Sequence, residues 1–458
     1  MKYAKFIPLL ILSIMCLPLS AQEDTNKKHE KREAIKKHVE MHLKPYGFVR
    51  NYFSYDTREC VAGTGDLYNY LPKDNLWNQT ETEAATSGIE REDLNEQQSF
   101  RFLSLTTRVG LNIVDYKVGS TQFGGKIEAD FYAGLSGVTG VAQFRLRQAY
   151  MTLAWDSLKM GNGEHYARVD LLLGQSWHPM AIDLANVISL NSGAPFGPFS
   201  RTPQIKMEAR LADWFSLTAA AIWQMQYTST GPDGASANYI KYSRTPEAFV
   251  GLNFMHKKDF LLRAGVDVLS ISPRHIGIRL APDNTEVKVT VKDRLTTVTP
   301  FLYLQYKTGD FMLQAKSVFA EAGEHVNLNG GYGVSRINDD GSWEYTPTRN
   351  STSWICLTYG KQVKGILFAG YVRNFGTKEP LVSTDKFWFS KNSFTNLNRA
   401  YRVSPTILWT VGRFQLGVEY EITSAQYGEG LSTANGLAEN NLHWVTNHKV
   451  QAMTKFNF

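Results

Sequence analysis

The sequence has few cysteines and no long apolar run beyond its beginning. Only three of its 458 residues are cysteines, and one of these, Cys16, lies within the first 22 residues. A small scaffold held by disulfide bonds needs many more. After residue 22 no apolar stretch approaches the roughly 20 residues of a transmembrane helix. Both a disulfide-rich fold and a helical membrane protein are therefore excluded.

The chain also lacks a strong net charge and a recognisable catalytic motif. Its formal charge is +6, too low for a nucleic-acid-binding protein of this length. No G-x-S-x-G nucleophile motif occurs. The histidines His165, His178, His325 and His443 are scattered without the spacing of a metal site. We therefore expect no enzyme activity, no cofactor and no nucleic-acid partner.

The first residues have the pattern of a secretory signal peptide. Two lysines precede an apolar core from Phe6 to Leu19, and the small residues Ser20 and Ala21 follow it. We expect residues 1–22 to be cleaved and residues 23–43 to form a short periplasmic segment. The remaining residues, 44–458, form one predicted domain.

Strict alternation of apolar and polar residues dominates this domain. The last twelve residues are "NHKVQAMTKFNF", and a strand with one face in lipid would separate them into two sets. The lipid-facing set would be Val450, Ala452, Phe456 and Phe458, and the inner set would be Lys449, Gln451, Lys455 and Asn457. About sixteen segments between residues 44 and 458 show such alternation, among them 99–114, 214–227, 351–360 and 413–423.

The connections between these segments alternate between long and short. Tight turns are predicted near residues 212, 308 and 412, whereas other connections exceed 15 residues. This pattern predicts an all-β fold, a transmembrane antiparallel β-barrel of about 16 strands with long extracellular loops and short periplasmic turns. A soluble two-sheet sandwich or a propeller is the alternative.

One long connection differs from the others in composition. Residues 175–203 contain the apolar piece "IDLANVISL" followed by the Gly- and Pro-rich "SGAPFGP". Because this loop is so apolar, we predict that it folds into the barrel, packs on the inner wall and narrows the pore. The alternative is an external loop that packs on its neighbours.

Four stretches resemble a known family. The segments "LKPYGFVRNYFSYDTRE", "FRLRQAYMTLAW", "LLLGQSWHPM" and "NHKVQAMTKFNF" resemble a group of outer-membrane porins from Bacteroidetes and, more distantly, the DcaP-like trimeric porins. The resemblance implies passive diffusion of small hydrophilic solutes through a homotrimer in the bacterial outer membrane. The terminal Phe458 also resembles the signal that the barrel-assembly machinery reads, and the expected surroundings are outer-membrane lipid and lipopolysaccharide.

Charged residues on the predicted inner faces are candidates for the pore lining. We expect a modest anion preference, because basic residues outnumber acidic ones on these faces. The candidates are Arg145, Arg147, Arg168, Lys206, Arg210, Asp183, Lys126, Glu128 and Asp130. Of these, Asp183 is predicted to face the arginines across the gap. Alternatively, the arginines pair with neighbouring carboxylates and produce no net field. A barrel that acts mainly in surface binding or adhesion is the alternative function.

Overall fold

Sixteen antiparallel strands form a closed barrel. The computed structural model describes residues 42–64, 67–133, 142–160, 165–389 and 395–458. The strands are β1 (Leu43–Asp56), β2 (Ser99–Leu103 and Arg108–Val118), β3 (Thr121–Ala133), β4 (Ala142–Met160), β5 (His165–Trp177), β6 (Arg201–Ala212), β7 (Phe215–Ile222), β8 (Glu247–His256), β9 (Phe260–Ile271), β10 (Leu295–Thr308), β11 (Phe311–Glu321), β12 (Trp343–Gly360), β13 (Val363–Thr377), β14 (Leu397–Val411), β15 (Phe414–Leu431) and β16 (Ala438–Asn457). Each pairs with the next in sequence, which confirms the predicted architecture.

The last strand closes the ring on the first. The ladder between β1 and β16 runs from Phe48 opposite Asn457 to Asp56 opposite Lys449. At its end the backbone of Gly47 exchanges hydrogen bonds of 3.3 and 3.0 Å with that of Phe458. A side chain at Gly47 would meet the Phe458 ring 2.5 Å away, so only glycine permits this approach. No free strand edge is left at the junction.

The two faces of the wall differ as the alternation predicts. On β16, Val450 and Phe456 are 48% and 47% exposed, whereas Lys449 and Gln451 are each 3% exposed. The same outward exposure of large apolar side chains recurs around the ring, as at Val250, Ile407 and Val418. Charged and amide side chains face the interior. The outer surface is therefore apolar and suited to hydrocarbon.

Short and long connections lie at opposite ends of the barrel. The described short turns are 119–120, 213–214, 257–259, 309–310, 361–362 and 412–413. The longer connections carry small elements of their own: the helices α1 (Glu81–Ser87) and α2 (Asn238–Ser243), the 3-10 turns Pro179–Ala181, Glu324–Val326 and Thr384–Lys386, and short strands at Cys60–Gly63, Tyr68–Pro72, Thr230–Gly231, Gly234–Ala235, Ile276–Leu280, Glu286–Thr290, Gly331–Ile337 and Phe387–Phe389. Within the described ranges, no helix has the length and apolarity to cross a membrane.

Several strand limits differ from the sequence prediction. The predicted strand at 99–114 is interrupted between Leu103 and Arg108, where Thr106 has a positive φ of 77°. The predicted strand at 214–227 ends at Ile222, after which Gln224 hydrogen-bonds Ser229 in a turn. Strands β12 and β15 extend further from the membrane than predicted, to Trp343 and Leu431. The predicted signal peptide and nearly all of segment 23–43 lie outside the described residues.

Prolines within strands sit where a ladder bond is missing. Pro246 immediately precedes β8. Pro300 pairs with Val266 of β9 on one side, but the β10–β11 ladder begins only at Phe301. Pro405 lies in a gap of the β14–β15 ladder between Val403 and Thr406. At both inner prolines the absent N–H therefore costs no hydrogen bond on that side.

The outward position of Ala219 provides a test of the inside–outside assignment. It pairs with Met207 and Val250, which are both exposed outward. Ala219→Arg should lower the free energy of unfolding in lipid by about 2–4 kcal/mol, because it places a charge in hydrocarbon. Ala219→Leu is the matched control and should fold as the wild type does. Equal urea midpoints for the arginine and leucine variants in lipid vesicles would contradict the assignment.

The loop-rich end should face the outside of the cell. An epitope tag after the exposed Asp340, in the β11–β12 connection, should be labelled on intact cells. A tag after Gly309, in the β10–β11 turn, should be labelled only after the outer membrane is permeabilised. Labelling of the Gly309 tag, but not of the Asp340 tag, on intact cells would contradict the predicted orientation.

Candidate functional site

Five arginines converge on one cavity inside the barrel. We call Arg50, Arg108, Arg145, Arg147 and Arg201 the arginine cluster; they come from β1, β2, β4 and β6. The cavity has a volume of about 290 Å³ and is closed on its other side by residues of the β5–β6 connection, 178–200. Positive charge on one wall and a mostly apolar loop opposite it define the candidate site.

Two carboxylates lie among the arginines. Asp130 of β3 stands opposite Arg108 in one ladder and opposite Arg145 in the next. Arg145 Nε donates to Asp130 Oδ1 at 2.9 Å, and Arg147 donates to both Asp130 and Glu128 at 2.6 and 3.1 Å. Cross-strand pairing of opposite charges is favourable at such positions. The predicted arginines on β4 are therefore largely neutralised.

Local irregularities in two strands shape this wall. The ladder shifts at Glu128 in β3, so that Arg147 is the extra residue of a β-bulge on β4 and both Arg147 and Gln148 reach Glu128. Bulges re-aim side chains in this way. In the β2 interruption, Thr106 accepts a hydrogen bond of 3.1 Å from Arg50 Nε. The break in β2 thus fixes an arginine at the cavity.

The cluster retains a net positive charge. Five guanidinium groups and the two carboxylates Glu128 and Asp130 sum to 5 − 2 = +3. Within the described residues no carboxylate lies within 4.0 Å of Arg50 or Arg201. Arg201 instead donates to the Gln226 side chain at 3.1 Å, and its NH1 atom has no hydrogen-bond partner. These two arginines carry two of the three unneutralised charges.

A buried lysine holds the first part of the β5–β6 connection against the wall. Lys316 of β11 is 3% exposed, and its Nζ atom donates to the main-chain oxygens of Met180 and Asp183 at 2.8 and 2.6 Å. The Asp183 side chain lies 3.4 Å from Arg263 Nε on β9. This end of the connection is attached to β9 and β11.

The middle of the connection is attached to strands further round the ring. Glu419 of β15 accepts the Ile188 N–H at 3.0 Å, and the Tyr52 hydroxyl of β1 donates to the Ile188 oxygen at 2.6 Å. Asn191 donates to Glu421 at 3.2 Å. Because β11 and β15 lie across the ring from β5 and β6, between which the connection runs, the connection crosses the interior.

The final part packs on a third stretch of the wall. The buried Arg402 of β14 donates to the Ala194 oxygen at 2.9 Å, and the Phe196 ring contacts the Phe368 ring of β13 at 6.4 Å between centroids. Gly370 permits this packing, since a Cβ atom there would lie 2.5 Å from the Phe196 ring. The connection is thus fixed by polar and apolar contacts along its whole length.

A second cavity lies on the turn side of the connection. It has a volume of about 390 Å³, and its charged lining residues are Arg50, Lys364 and Lys455. Arg50, Val187 and Ile188 line both this cavity and the one at the arginine cluster. Arg50 and the Val187–Ile188 segment therefore separate the two cavities, and we call this boundary the constriction.

The structure brings only part of the predicted pore set together. Arg145, Arg147, Glu128 and Asp130 form one group, and Lys126 lies 3.7 Å from Glu128. The other predicted members lie elsewhere: Arg168 pairs with Asp156 and Asp170, Arg210 is exposed near the turn end of β6, and Lys206 borders a small cavity with Arg263. Asp183 pairs with Arg263 and does not line the cavity of the arginine cluster.

Sequence reasoning missed Arg50, Arg108 and Arg201. Arg50 shares the inner face of β1 with Tyr52, Ser54 and Asp56, so alternation alone could have identified the direction of its side chain. Arg201 is the first residue of β6 and falls in the predicted loop. Which arginines are neutralised depends on the register between strands, which no single strand reveals.

Comparison with known proteins supports the fold. No protein-family model and no curated protein sequence matches the chain. Among solved structures, the outer membrane channel DcaP of Acinetobacter baumannii is 17% identical with a TM-score of 0.62, covering 91% of this chain and 97% of that one. The anion-selective porin from Comamonas acidovorans is 9% identical with a TM-score of 0.48, covering 91% and 99%. The protein shares the fold of the DcaP channel, and with its closed ring of strands and apolar outer surface it is a β-barrel of the bacterial outer membrane.

Removing one carboxylate from the arginine cluster should destabilise the barrel. Glu128 is 3% exposed and serves Arg108, Arg147 and Tyr46. Glu128→Gln should lower the free energy of unfolding by about 1–3 kcal/mol, because buried donors lose a charged partner. Urea titration in lipid vesicles measures this.

Glu344→Gln is the matched control for this substitution. It breaks an ion pair with Arg336 in which both side chains are about half exposed or more, at 69% and 49%. Exposed ion pairs contribute little to the free energy of unfolding. A loss of stability in the control equal to that of Glu128→Gln would contradict the structural importance of the cluster.

Proposed function

We propose that the protein is an outer-membrane porin, a passive diffusion channel for small hydrophilic solutes with a modest preference for anions. The observation that carries this proposal is the pair of cavities, of about 290 and 390 Å³, that adjoin at the constriction. A sixteen-strand barrel encloses more space than side chains alone can fill. The anchored connection takes up part of that space and leaves a passage beside the β1–β6 wall.

Charge along this passage supports the anion preference. The first cavity is bordered by the arginine cluster, with a net charge of +3. The second cavity, on the turn side of the connection, is bordered by Arg50, Lys364 and Lys455. Within the described residues, no carboxylate belongs to the lining of either cavity. A ring of one charge sign in a narrow, low-dielectric gap favours the opposite ion. The pore-lining role proposed for Arg145 and Arg147 is shared with Arg50 and Arg201.

The protein is also proposed to form a homotrimer. The β1–β2 connection exposes Leu76, Trp77, Ile89 and Leu94, at 43% or more each. An exposed apolar group of this kind is typical of a contact with another protein. A neighbouring copy of the protein would cover this apolar group.

Assignment to the Bacteroidetes porin group depends on the strand motifs alone.

Ion selectivity tests the proposed function. In planar bilayers with a salt gradient, the wild type should conduct and give a reversal potential on the anion-selective side. Arg50→Gln with Arg201→Gln should move this potential toward zero, because both charges lack a carboxylate partner. Arg336→Gln, which removes an exposed arginine, should leave it unchanged.

Two outcomes would contradict the proposal. Absence of any conductance in a folded, inserted protein would favour the alternative role in surface binding or adhesion. An unchanged reversal potential in the double variant would place Arg50 and Arg201 away from the ion path.

A further inference from the structure

Four buried titratable side chains meet on the barrel wall away from the constriction. They are His178, Glu247, Asp267 and His325, each at most 1% exposed, and we call them the His–carboxylate cluster. Glu247 and Asp267 belong to β8 and β9. The histidines belong to two different long connections, 178–200 and 322–342. The cluster therefore joins two loops to the wall at one point.

The distances are those of groups that could share an ion. His178 Nε2 lies 2.5 Å from Glu247 Oε1 and 3.6 Å from Asp267 Oδ1. His325 Nε2 lies 3.4 Å from Asp267 Oδ2 and 3.8 Å from Glu247 Oε1. Ligand atoms about 2.0–2.2 Å from a tetrahedral metal ion are separated by roughly 3.3 Å. The two separations that involve His325 Nε2, 3.4 and 3.8 Å, are close to this value.

With both histidines neutral, the cluster would carry an unbalanced charge. Within the described parts of the chain, the nitrogens within 4.0 Å of the Glu247 and Asp267 carboxylates are those of the two histidines. Two carboxylates buried beside neutral histidines would carry −2, at a large desolvation cost.

Several polar atoms in the cluster have no hydrogen-bond partner. They are Glu247 Oε2, Asp267 Oδ1 and His325 Nδ1, all on side chains more than nine-tenths buried. Buried polar atoms usually have at least one hydrogen-bond partner. Unpartnered acceptors on two carboxylates beside an imidazole point to a bound cation.

The tautomer of His178 separates its role from that of His325. The Met180 N–H donates to His178 Nδ1 at 3.2 Å. A neutral His178 therefore carries its proton on Nε2 and donates it to Glu247. In this state His178 orients a carboxylate and offers no lone pair to a metal, as supporting residues around metal sites commonly do.

We infer that the His–carboxylate cluster binds one divalent transition-metal ion of the Zn²⁺ type through Glu247, Asp267 and His325, with His178 as a positioning residue. Imidazole and carboxylate are the ligands such ions prefer, whereas Ca²⁺ and Mg²⁺ favour all-oxygen sites. A charge of +2 cancels the −2 of the carboxylates. The ion fastens connection 322–342 to β8 and β9, and the hydrogen bond between His178 and Glu247 holds connection 178–200 at the same place, independently of what passes through the pore.

Metal content of the tag-free full chain tests this inference. The protein is refolded with Zn²⁺ after EDTA treatment, dialysed and measured by mass spectrometry of the metal. The wild type should retain one zinc per chain. Asp267→Asn and His325→Gln should lower the retained zinc by about tenfold or more. His178→Gln should retain it, because the glutamine amide can still donate to Glu247.

His443→Gln is the matched control. His443 also pairs with a carboxylate, Asp74, at 2.6 Å, but it lies outside the cluster. This variant should retain zinc as the wild type does, and heat-modifiable gel mobility confirms that each variant is folded. Co²⁺ refolding provides a second measurement on the wild type alone, since bound Co²⁺ gives a visible absorption band.

A wild type that retains no zinc and shows no cobalt band would overturn the inference, leaving a cluster neutralised by protons. Loss of zinc in His178→Gln as complete as in His325→Gln would overturn the assignment of His178 as a positioning residue.

Discussion

Hydrocarbon offers no hydrogen bonds to a polypeptide backbone, and the rest of this structure depends on that constraint. Every strand in lipid must pair on both sides, so β1 and β16 have to meet. Their ladder continues to the last residue, where the Gly47 backbone pairs with that of Phe458. Closure also fixes the phase of every strand, because the outward face must be apolar all the way round.

The same phase directs polar side chains into the interior, where they determine the path of the β5–β6 connection. Lys316, Glu419 and Arg402 are inward residues of β11, β15 and β14, and each hydrogen-bonds the main chain of that connection. The connection is therefore attached to the part of the wall that lies across the ring from β5 and β6. It leaves its apolar segment at Val187 and Ile188 facing Arg50. A requirement imposed by lipid outside thus shapes the passage inside.

Local sequence patterns predicted much of the fold, because inside–outside alternation is a property of each strand by itself. The sixteen strands, the pairing of the last strand with the first and the outward set on β16 follow from it. Ion pairing could not be predicted in this way. The pairing of Arg145 with Asp130 depends on the register of β3 against β4, and the inward direction of Gln148 beside Arg147 depends on a bulge. Similarly, His178 and His325 lie 325 − 178 = 147 residues apart and meet only because two loops fold inward.

The central claim is that the space between Arg50 and the Val187–Ile188 segment is the narrowest part of an open channel. Val187 is half-buried and lines both cavities. Val187→Cys, in a background where the buried Cys60 and Cys356 are replaced by serine, places a single thiol at this point. Addition of a charged methanethiosulfonate reagent should lower single-channel conductance in planar bilayers, while the cysteine-free background keeps its conductance. An unchanged conductance after complete labelling of Val187→Cys would contradict the claim.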